Sequence, residues 1–146
     1  MPDSVPEFGQ KEPGATYIKR PGVYAVIRDS QGRIAVVKAG RAYFLPGGGI
    51  AEGESLEQAM DREAREECGR SATILRPLGH ANQHCSTRSG KHFTKLCTYV
   101  EAAFVPGSDC KPSEPDYELF WMEPPDVLRS LLLDADRWAV GRCLDK

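Results

Sequence analysis

The clearest periodic pattern in the chain predicts a helix between Ser55 and Gly69. Ser55 suits an N-cap, Gln58 completes a capping box with it, and Gly69 suits the left-handed position that ends a helix. At about 100° per residue, one stripe of this helix faces inward. Its members are Leu56, Ala59, Met60, Glu63, Glu66 and Glu67. The stripe begins apolar and ends in three carboxylates, while the opposite face, which carries Arg62, is expected to be solvated.

The rest of the pattern predicts strands and two further helices. Apolar, β-branched segments separated by turn residues indicate strands. These cover residues 17–28, 33–38, 72–78 with 79–86 as a continuation, 92–105 and 116–122. Pro77 predicts an edge strand or a bulge. Helices are predicted over 124–133 and from 134 to about 143. This order predicts an α/β fold with a mixed β-sheet and helices packed on its faces.

The chain divides into a tail and one domain. Residues 1–16 are rich in Pro, Gly and charge, and are expected to be partly disordered or to drape over the domain or a partner subunit. Residues 17–146 are predicted to form a single domain, since a chain of 146 residues suits one core. The Pro- and Ser-rich loop 106–115 is a candidate substrate lid.

Composition limits the expected partners and location. A net charge of −2 gives no electrostatic footprint for duplex nucleic acid or for an anionic membrane. The sequence has no apolar run of about 18 residues, and its acidic, Pro-rich start does not look like a signal peptide. The five cysteines are scattered and form no CxxC pair. We therefore expect a reduced, cytoplasmic protein.

The glycine turn before the helix is the candidate chemical site. Gly47, Gly48 and Gly49 carry no Cβ, so their backbone can lie close against a ligand. Acids on an inward stripe must meet cations or lose solvation. Mg²⁺ prefers carboxylate oxygens and keeps open positions for phosphate oxygens. The three histidines, in contrast, have no cysteine at ligand spacing, so a zinc site is disfavoured.

Residues beside the turn are candidates for binding a substrate. Gly47 allows close approach, and Arg41 lies near enough in sequence to contact phosphates, although a solvated surface is the plainer interpretation. Tyr43 and Phe44 suit stacking on a base, whereas aromatic residues beside a loop more often belong to the core.

The turn and helix together resemble the signature of the Nudix hydrolases, over 23 residues from Gly48 to Arg70. All polar members of the signature are present: Gly48, Glu54, Arg62, Glu63, Glu66, Glu67 and Gly69. Ala64 is small for its hydrophobic position, and Arg70 stands where an apolar residue is usual. Glu118 and Trp121, followed by a Leu-rich helix, also fit the family's usual ending. So many fixed positions are far more specific than a lone Gly-rich turn.

This resemblance implies an α/β/α sandwich and a site that holds Mg²⁺, with Mn²⁺ as the alternative. The implied metal ligands are Gly48 through its carbonyl, Glu63, Glu66 and Glu67. Arg62 is expected to pair with a carboxylate such as Glu54 and so hold the loop, or else to form a routine surface pair along the helix.

The candidate catalytic residues are Glu63, Glu66, Arg62 and Glu118. Glu63 or Glu66 is the first choice for the general base, and the reserves are Glu118, Asp109 and Glu114. Glu54 and Gly69 are assigned structural roles within the signature.

By the resemblance, the function is that of a MutT-like hydrolase of the bacterial type, with its subfamily open. Such enzymes cleave the pyrophosphate of a nucleoside diphosphate derivative, for example a nucleoside triphosphate or ADP-ribose. A homodimer is common in the family. The alternative is a non-catalytic module of the same fold that senses a nucleotide or binds a protein. An RNA-end pyrophosphohydrolase is a weaker alternative, because the chain has no basic stripe.

Overall fold

The computed structural model describes residues 4–145, which form eight strands and three helices. The strands are β1 Glu7–Phe8, β2 Ile18–Ile27, β3 Ile34–Ala39, β4 Ala42–Phe44, β5 Gly47–Gly49, β6 Ala72–Ser86, β7 His92–Phe104 and β8 Tyr117–Met122. The helices are α1 Leu56–Cys68, α2 Pro124–Ser130 and α3 Asp134–Leu144. None of these helices is long and apolar enough to cross a bilayer.

The strands form two sheets. The larger sheet has the order β1-β6-β7-β2-β5, and the smaller has the order β4-β3-β8. β2 runs parallel to β7 and antiparallel to β5, so the larger sheet is mixed, as expected. Because β2 pairs with a strand about 75 residues further along the chain, segments that are distant in sequence meet in the middle of this sheet.

Two apolar clusters hold the layers together. One joins α1 to β2 through Ala59, Met60 and Ala64 against Val23 and Ala25. The other joins α2 and α3 to alternate positions on the same strand, together with residues of β3 and β7. Because successive side chains of a strand point to opposite faces, β2 contributes to both clusters. The result is the α/β/α arrangement expected from the order of elements.

The N-terminal segment lies against the larger sheet. Glu7 and Phe8 pair with Asn82 and Gln83 of β6. Phe8 also packs against Trp138 of α3, with 6.2 Å between ring centroids. In the part described from residue 4 onward, this segment therefore lies on the surface of the domain. The division of the chain at residue 16 stays a prediction, and residues 1–3 lie outside the described part.

Two elements differ in detail from their predictions. The predicted helix over 124–133 is wrong at its end, since α2 stops at Ser130. Leu131 is extended and bridges to Tyr43, and the Leu132 N–H donates to the Tyr43 carbonyl at 3.0 Å. Pairing with the smaller sheet therefore ends the helix early. β6 continues through Pro77 with register shifts on either side of it, so the bulge is confirmed, but β6 lies between β1 and β7 rather than at an edge.

Candidate active site

Helix α1 carries the acids of the site, and both of its ends are fixed as the sequence predicts. The Ser55 hydroxyl accepts the Gln58 N–H at 3.1 Å, and the Gln58 side chain accepts the Ser55 N–H at 2.9 Å. Gly69 has φ 71° and ends the helix. A Cβ at Gly69 would lie 2.6 Å from the Cys110 carbonyl oxygen, so the glycine also makes room for the loop after β7.

Glu67 is a buried carboxylate that no cationic side chain of residues 4–145 pairs with. Its side chain is 6% exposed, and one oxygen accepts the Gly47 N–H at 3.0 Å. Among residues 4–145, no Lys, Arg or His pairs with it. Burial, followed by the negative charges of Glu63 and Glu66, raises its pKa to about 8. A bound cation would remove this electrostatic penalty.

Glu63 lies one turn before Glu67 and faces the glycine turn. A Cβ at Gly48 would overlap the Glu63 carboxylate, which explains why a residue without a side chain is needed there. Burial raises the pKa of Glu63, while the adjacent Arg62 opposes that shift. The Gly48 backbone and the Glu63 side chain are therefore neighbours, as the predicted metal site requires.

Arg62 does not point into solvent on the far side of α1, and that expectation is wrong. Its guanidinium donates to both oxygens of Glu54, at 2.6 and 2.9 Å, and to the Gly49 carbonyl at 2.9 Å. A third nitrogen lies 3.3 Å from Glu63 and 3.2 Å from Glu66. Because an arginine side chain is long, it reaches round the helix from a flanking position. The pairing with Glu54 is as expected.

Both carboxylate oxygens of Glu54 accept hydrogen bonds in this arrangement. Hydrogen bonds from Arg62 and from the Ala51 N–H lower the pKa of its carboxyl to about 2. Glu54 is therefore ionised across the physiological range, and it ties the start of α1 to the turn at Gly49. Arg62 and Glu54 together fix the glycine turn relative to the acids.

The loop 106–115 is attached to the end of α1. The Cys110 N–H donates to the Gly69 carbonyl at 2.8 Å, and the Glu114 N–H donates to the Glu66 carbonyl at 3.0 Å. Arg70 pairs with Asp109 at 3.1 Å. These contacts bring two reserve candidates for the general base, Asp109 and Glu114, next to the acid-bearing turn of the helix. Whether the loop acts as a lid stays a prediction.

A cavity of about 440 Å³ opens beside the acids. One wall is formed by Gly47, Gly48, Glu63 and Glu67. The remaining lining residues are Arg20, Pro21, Tyr24, Val37, Phe44, Leu45, Gly49, Phe93, Lys95, Tyr117 and Asp136. The cavity therefore combines acidic, aromatic and cationic groups, which suits a nucleotide-sized ligand.

Three charged residues of this cavity were not found from the sequence: Arg20, Lys95 and Asp136. Asp136 is 2% exposed, and it accepts the Tyr99 hydroxyl at 2.6 Å and the Leu45 N–H at 3.2 Å. Burial raises the pKa of its carboxyl. A sequence signal existed for Asp136, since it lies three and four residues before the buried Ala139 and Val140. Arg20 and Lys95 are brought together only by the pairing of β2 with β7.

Of the other predicted site residues, some line the cavity and some do not. Phe44 and Gly47 line the cavity. Arg41 is exposed in the turn before β4, and Tyr43 packs edge-on against Phe120 at 5.9 Å. Glu118 is exposed on β8, opposite Lys38 of β3. These last three are not among the cavity residues, and their assigned roles stay predictions.

The donor set fits a hard divalent cation. Carboxylate oxygens from Glu63 and Glu67 and the backbone of the glycine turn are the ligand types that Mg²⁺ prefers. Within residues 4–145, no three acidic, His or Cys side chains converge closely enough to form a preassembled metal site. Arg62 holds Glu63 and Glu66, and Gly47 holds Glu67. Assignment of all three glutamates as metal ligands stays a prediction.

Comparison with known proteins agrees with this geometry. The fold and the glutamate-bearing helix behind a glycine turn define an α/β protein with an acid-lined cavity. A family model described as the NUDIX domain matches residues 18–141. Because the match covers most of the chain, the protein belongs to the Nudix family of hydrolases. No curated protein sequence gives a significant match.

Solved structures show the same fold. A NUDIX hydrolase from Nitrosomonas europaea aligns with a TM-score of 0.68 at 20% identity, covering 87% of this chain and 89% of that one. A MutT NUDIX hydrolase from Burkholderia pseudomallei aligns with a TM-score of 0.62 at 28% identity, covering 85% and 97%. An Ap4A hydrolase from C. elegans aligns with a TM-score of 0.66 at 19% identity, covering 86% and 96%. In each case the alignment covers nearly the whole length of the neighbour.

Proposed function

We propose that this protein is a Mg²⁺-dependent pyrophosphohydrolase that cleaves a nucleoside diphosphate derivative by attack of water on phosphorus. The observation that carries the proposal is Glu67, a buried carboxylate without a cation, placed beside Glu63 and a glycine turn. Family neighbours named as an Ap4A hydrolase and a UDP-X diphosphatase act on substrates of this class.

The residues of the site have separable roles in this reaction. When bound, divalent cations neutralise the diphosphate and lower the pKa of a coordinated water. Glu67 and the Gly48 carbonyl would hold them, with Glu63 and Glu66. The glycine turn lets phosphate oxygens approach the backbone without meeting a side chain.

Glu63 is the best-placed general base. It is half-buried at the cavity wall, and burial raises the pKa of its carboxyl, which makes it a stronger base. Glu66 lies next to it and remains the second choice. Arg62 is a positioning residue. It contacts Glu54, the Gly49 carbonyl and the acids of α1, and it does not line the cavity.

The test is a panel of nucleotide substrates assayed with Mg²⁺, with Mn²⁺ and with a chelator. We expect turnover only with a divalent cation, and release of a nucleoside monophosphate or of pyrophosphate, depending on which phosphorus is attacked. Glu57→Gln, on an exposed position of the same helix, is the matched control and is expected to behave as wild type. Binding of nucleotides without any turnover across the panel would support the alternative, a non-catalytic sensing module.

A further inference from the structure

Two cations line the cavity on the side away from the glutamates. Arg20 of β2 and Lys95 of β7 are direct partners in the parallel pairing of these strands. Both line the cavity. Since side chains at i, i+2 and i+4 share one face of a strand, Arg20, Gly22 and Tyr24 form a single row along the cavity.

Both cationic side chains pack against aromatic rings and do not contact acidic side chains of the described residues. The Arg20 guanidinium lies 4.4 Å from the Phe93 ring centroid. The Lys95 ammonium lies 5.2 Å from the Tyr24 centroid and 5.8 Å from that of Phe44. In the described part of the chain, neither forms an ion pair with a carboxylate. Because no such ion pair neutralises either charge, an anionic ligand would stabilise this arrangement.

The position of the pair differs from that of the catalytic acids. Gly48, which contacts Glu63, lies opposite Val23 in the pairing of β5 with β2. Arg20 is three residues from Val23, a separation of about 10 Å along the strand at ~3.3 Å per residue. A diphosphate held at Gly48 and Glu63 therefore leaves Arg20 free to contact a group further along the substrate, while the Lys95 ammonium, over the Tyr24 ring, lies between the two.

Gly22 lies between Arg20 and the glycine turn and makes room for the Tyr24 side chain. A Cβ at Gly22 would lie 2.7 Å from the Tyr24 hydroxyl and 3.0 Å from the Gly48 carbonyl oxygen. The Tyr24 hydroxyl therefore occupies the part of this row between the glycine turn and Arg20.

Building on the proposed function, we propose that Arg20 and Lys95 bind a second anionic group of the substrate. The preferred substrates are then nucleotides whose diphosphate continues into further phosphate groups, in preference to those linked to a neutral sugar. Arg20 and Lys95 are specificity-determining residues in this proposal. Arginine offers a planar fork for phosphate oxygens, and lysine offers a point charge.

The test compares ATP and diadenosine tetraphosphate with ADP-ribose, whose second phosphate leads only to a neutral ribose. Wild type is expected to have at least a tenfold higher kcat/KM for the polyphosphates. Arg20→Gln and Lys95→Gln should each lower that value about tenfold, mainly through KM, and change ADP-ribose turnover less than twofold. Lys19→Gln is the matched control, since Lys19 is exposed and its side chain leaves the opposite face of β2. Equal losses for both substrate types, or a wild-type preference for ADP-ribose, would overturn the proposal.

A binding measurement separates this proposal from the proposed function. Inorganic tripolyphosphate is titrated into the protein by calorimetry, in chelator, where no metal site contributes. The cationic site is supported if the affinity for tripolyphosphate decreases with salt and is at least fivefold lower in Arg20→Gln and Lys95→Gln. This result would hold even if no nucleotide is hydrolysed. Absence of binding in wild type, or binding unchanged in both variants, contradicts the cationic site even if hydrolysis is observed.

Discussion

Glu67 and Glu101 are the same residue type and both side chains are buried, yet the charges around them differ in sign. Glu101 of β7 is 8% exposed and lies between Arg28 and Arg76, at 2.8 and 2.6 Å. Burial acts to raise its pKa, but the hydrogen bonds from both arginines prevail and hold the pKa below its ordinary value. Glu67 is 6% exposed, has no such cation, and has a pKa raised to about 8.

The difference separates a structural acid from a binding acid. A buried carboxylate that already has its cations contributes to the fold, and removing it leaves the cations unpaired. A buried carboxylate that no cationic side chain pairs with destabilises the fold, and where it lies in a cavity beside other acids it is a candidate ligand for a cation from outside. The same contrast predicts opposite results for the same substitution at the two positions.

The largest expected effect is on turnover in Glu67→Gln. We expect kcat/KM to fall about 10²–10³-fold, because a metal ligand is lost while the amide oxygen still accepts the Gly47 N–H. The Tm should be unchanged or slightly higher, since the substitution removes the burial and charge crowding that force Glu67 to take up a proton on folding. Steady-state kinetics and a thermal melt check both parts. Activity within threefold of wild type would show that Glu67 is not part of the reaction.

Arg62→Lys is expected to lower kcat about 10–100-fold while leaving the secondary structure intact. Lysine keeps the charge but cannot bridge both oxygens of Glu54 and the Gly49 carbonyl at once. Glu54→Gln should give a similar loss. If the two residues act as one unit, the double variant will be no slower than the slower single variant. Additive losses would mean that Arg62 acts independently of Glu54.

Glu101→Gln is expected to affect stability and not chemistry. Loss of the carboxylate should lower the free energy of unfolding by about 2–3 kcal/mol, because Arg28 and Arg76 lose a charged partner but stay about one-third exposed. This corresponds to a Tm lower by about 5–10 °C. At a temperature well below the Tm, kcat/KM should stay within twofold of wild type. If thermal melts show the same decrease in Tm for Glu67→Gln and Glu101→Gln, the proposed contrast between the two acids is wrong.

A further contrast is the pH dependence of stability without metal. Glu67 has a folded pKa of about 8 against an ordinary value of 4.5. Between these values the unfolded state is ionised while the folded state keeps its proton, so Glu67 lowers stability as pH rises. The stability of Glu67→Gln relative to wild type should therefore grow by about 3 kcal/mol from pH 5 to 8. Urea unfolding in chelator at several pH values measures this difference, and a constant difference would contradict the assigned shift.

The local part of the site could be predicted from the sequence. The capping box at Ser55, the end of α1 at Gly69, the inward glutamates and the contact of Arg62 with Glu54 all lie within about 20 residues. Helical spacing and turn chemistry decide such features. The face assigned to Arg62 was wrong because spacing gives the direction of Cβ and not the reach of a long side chain.

The opposite wall of the cavity could not be predicted in this way. Arg20 and Lys95 are neighbours only because β2 runs parallel to β7, and the register of two strands 75 residues apart is set by packing of the whole sheet. The early end of α2 has a similar cause, since Leu132 is held by Tyr43 of the smaller sheet. Non-local pairings of this kind leave no periodic signal in the sequence.

The most direct test of the account is calorimetric binding of Mn²⁺ at pH 7, in two buffers that differ in ionisation enthalpy. A site that uses Glu67 must displace its proton, so wild type is expected to bind Mn²⁺ and release close to one proton. Glu101→Gln should bind in the same way, whereas Glu67→Gln should bind at least tenfold more weakly and release none. If wild type binds no Mn²⁺, or if Glu67→Gln binds it with the same proton release, the unpaired carboxylate of α1 is not a metal site.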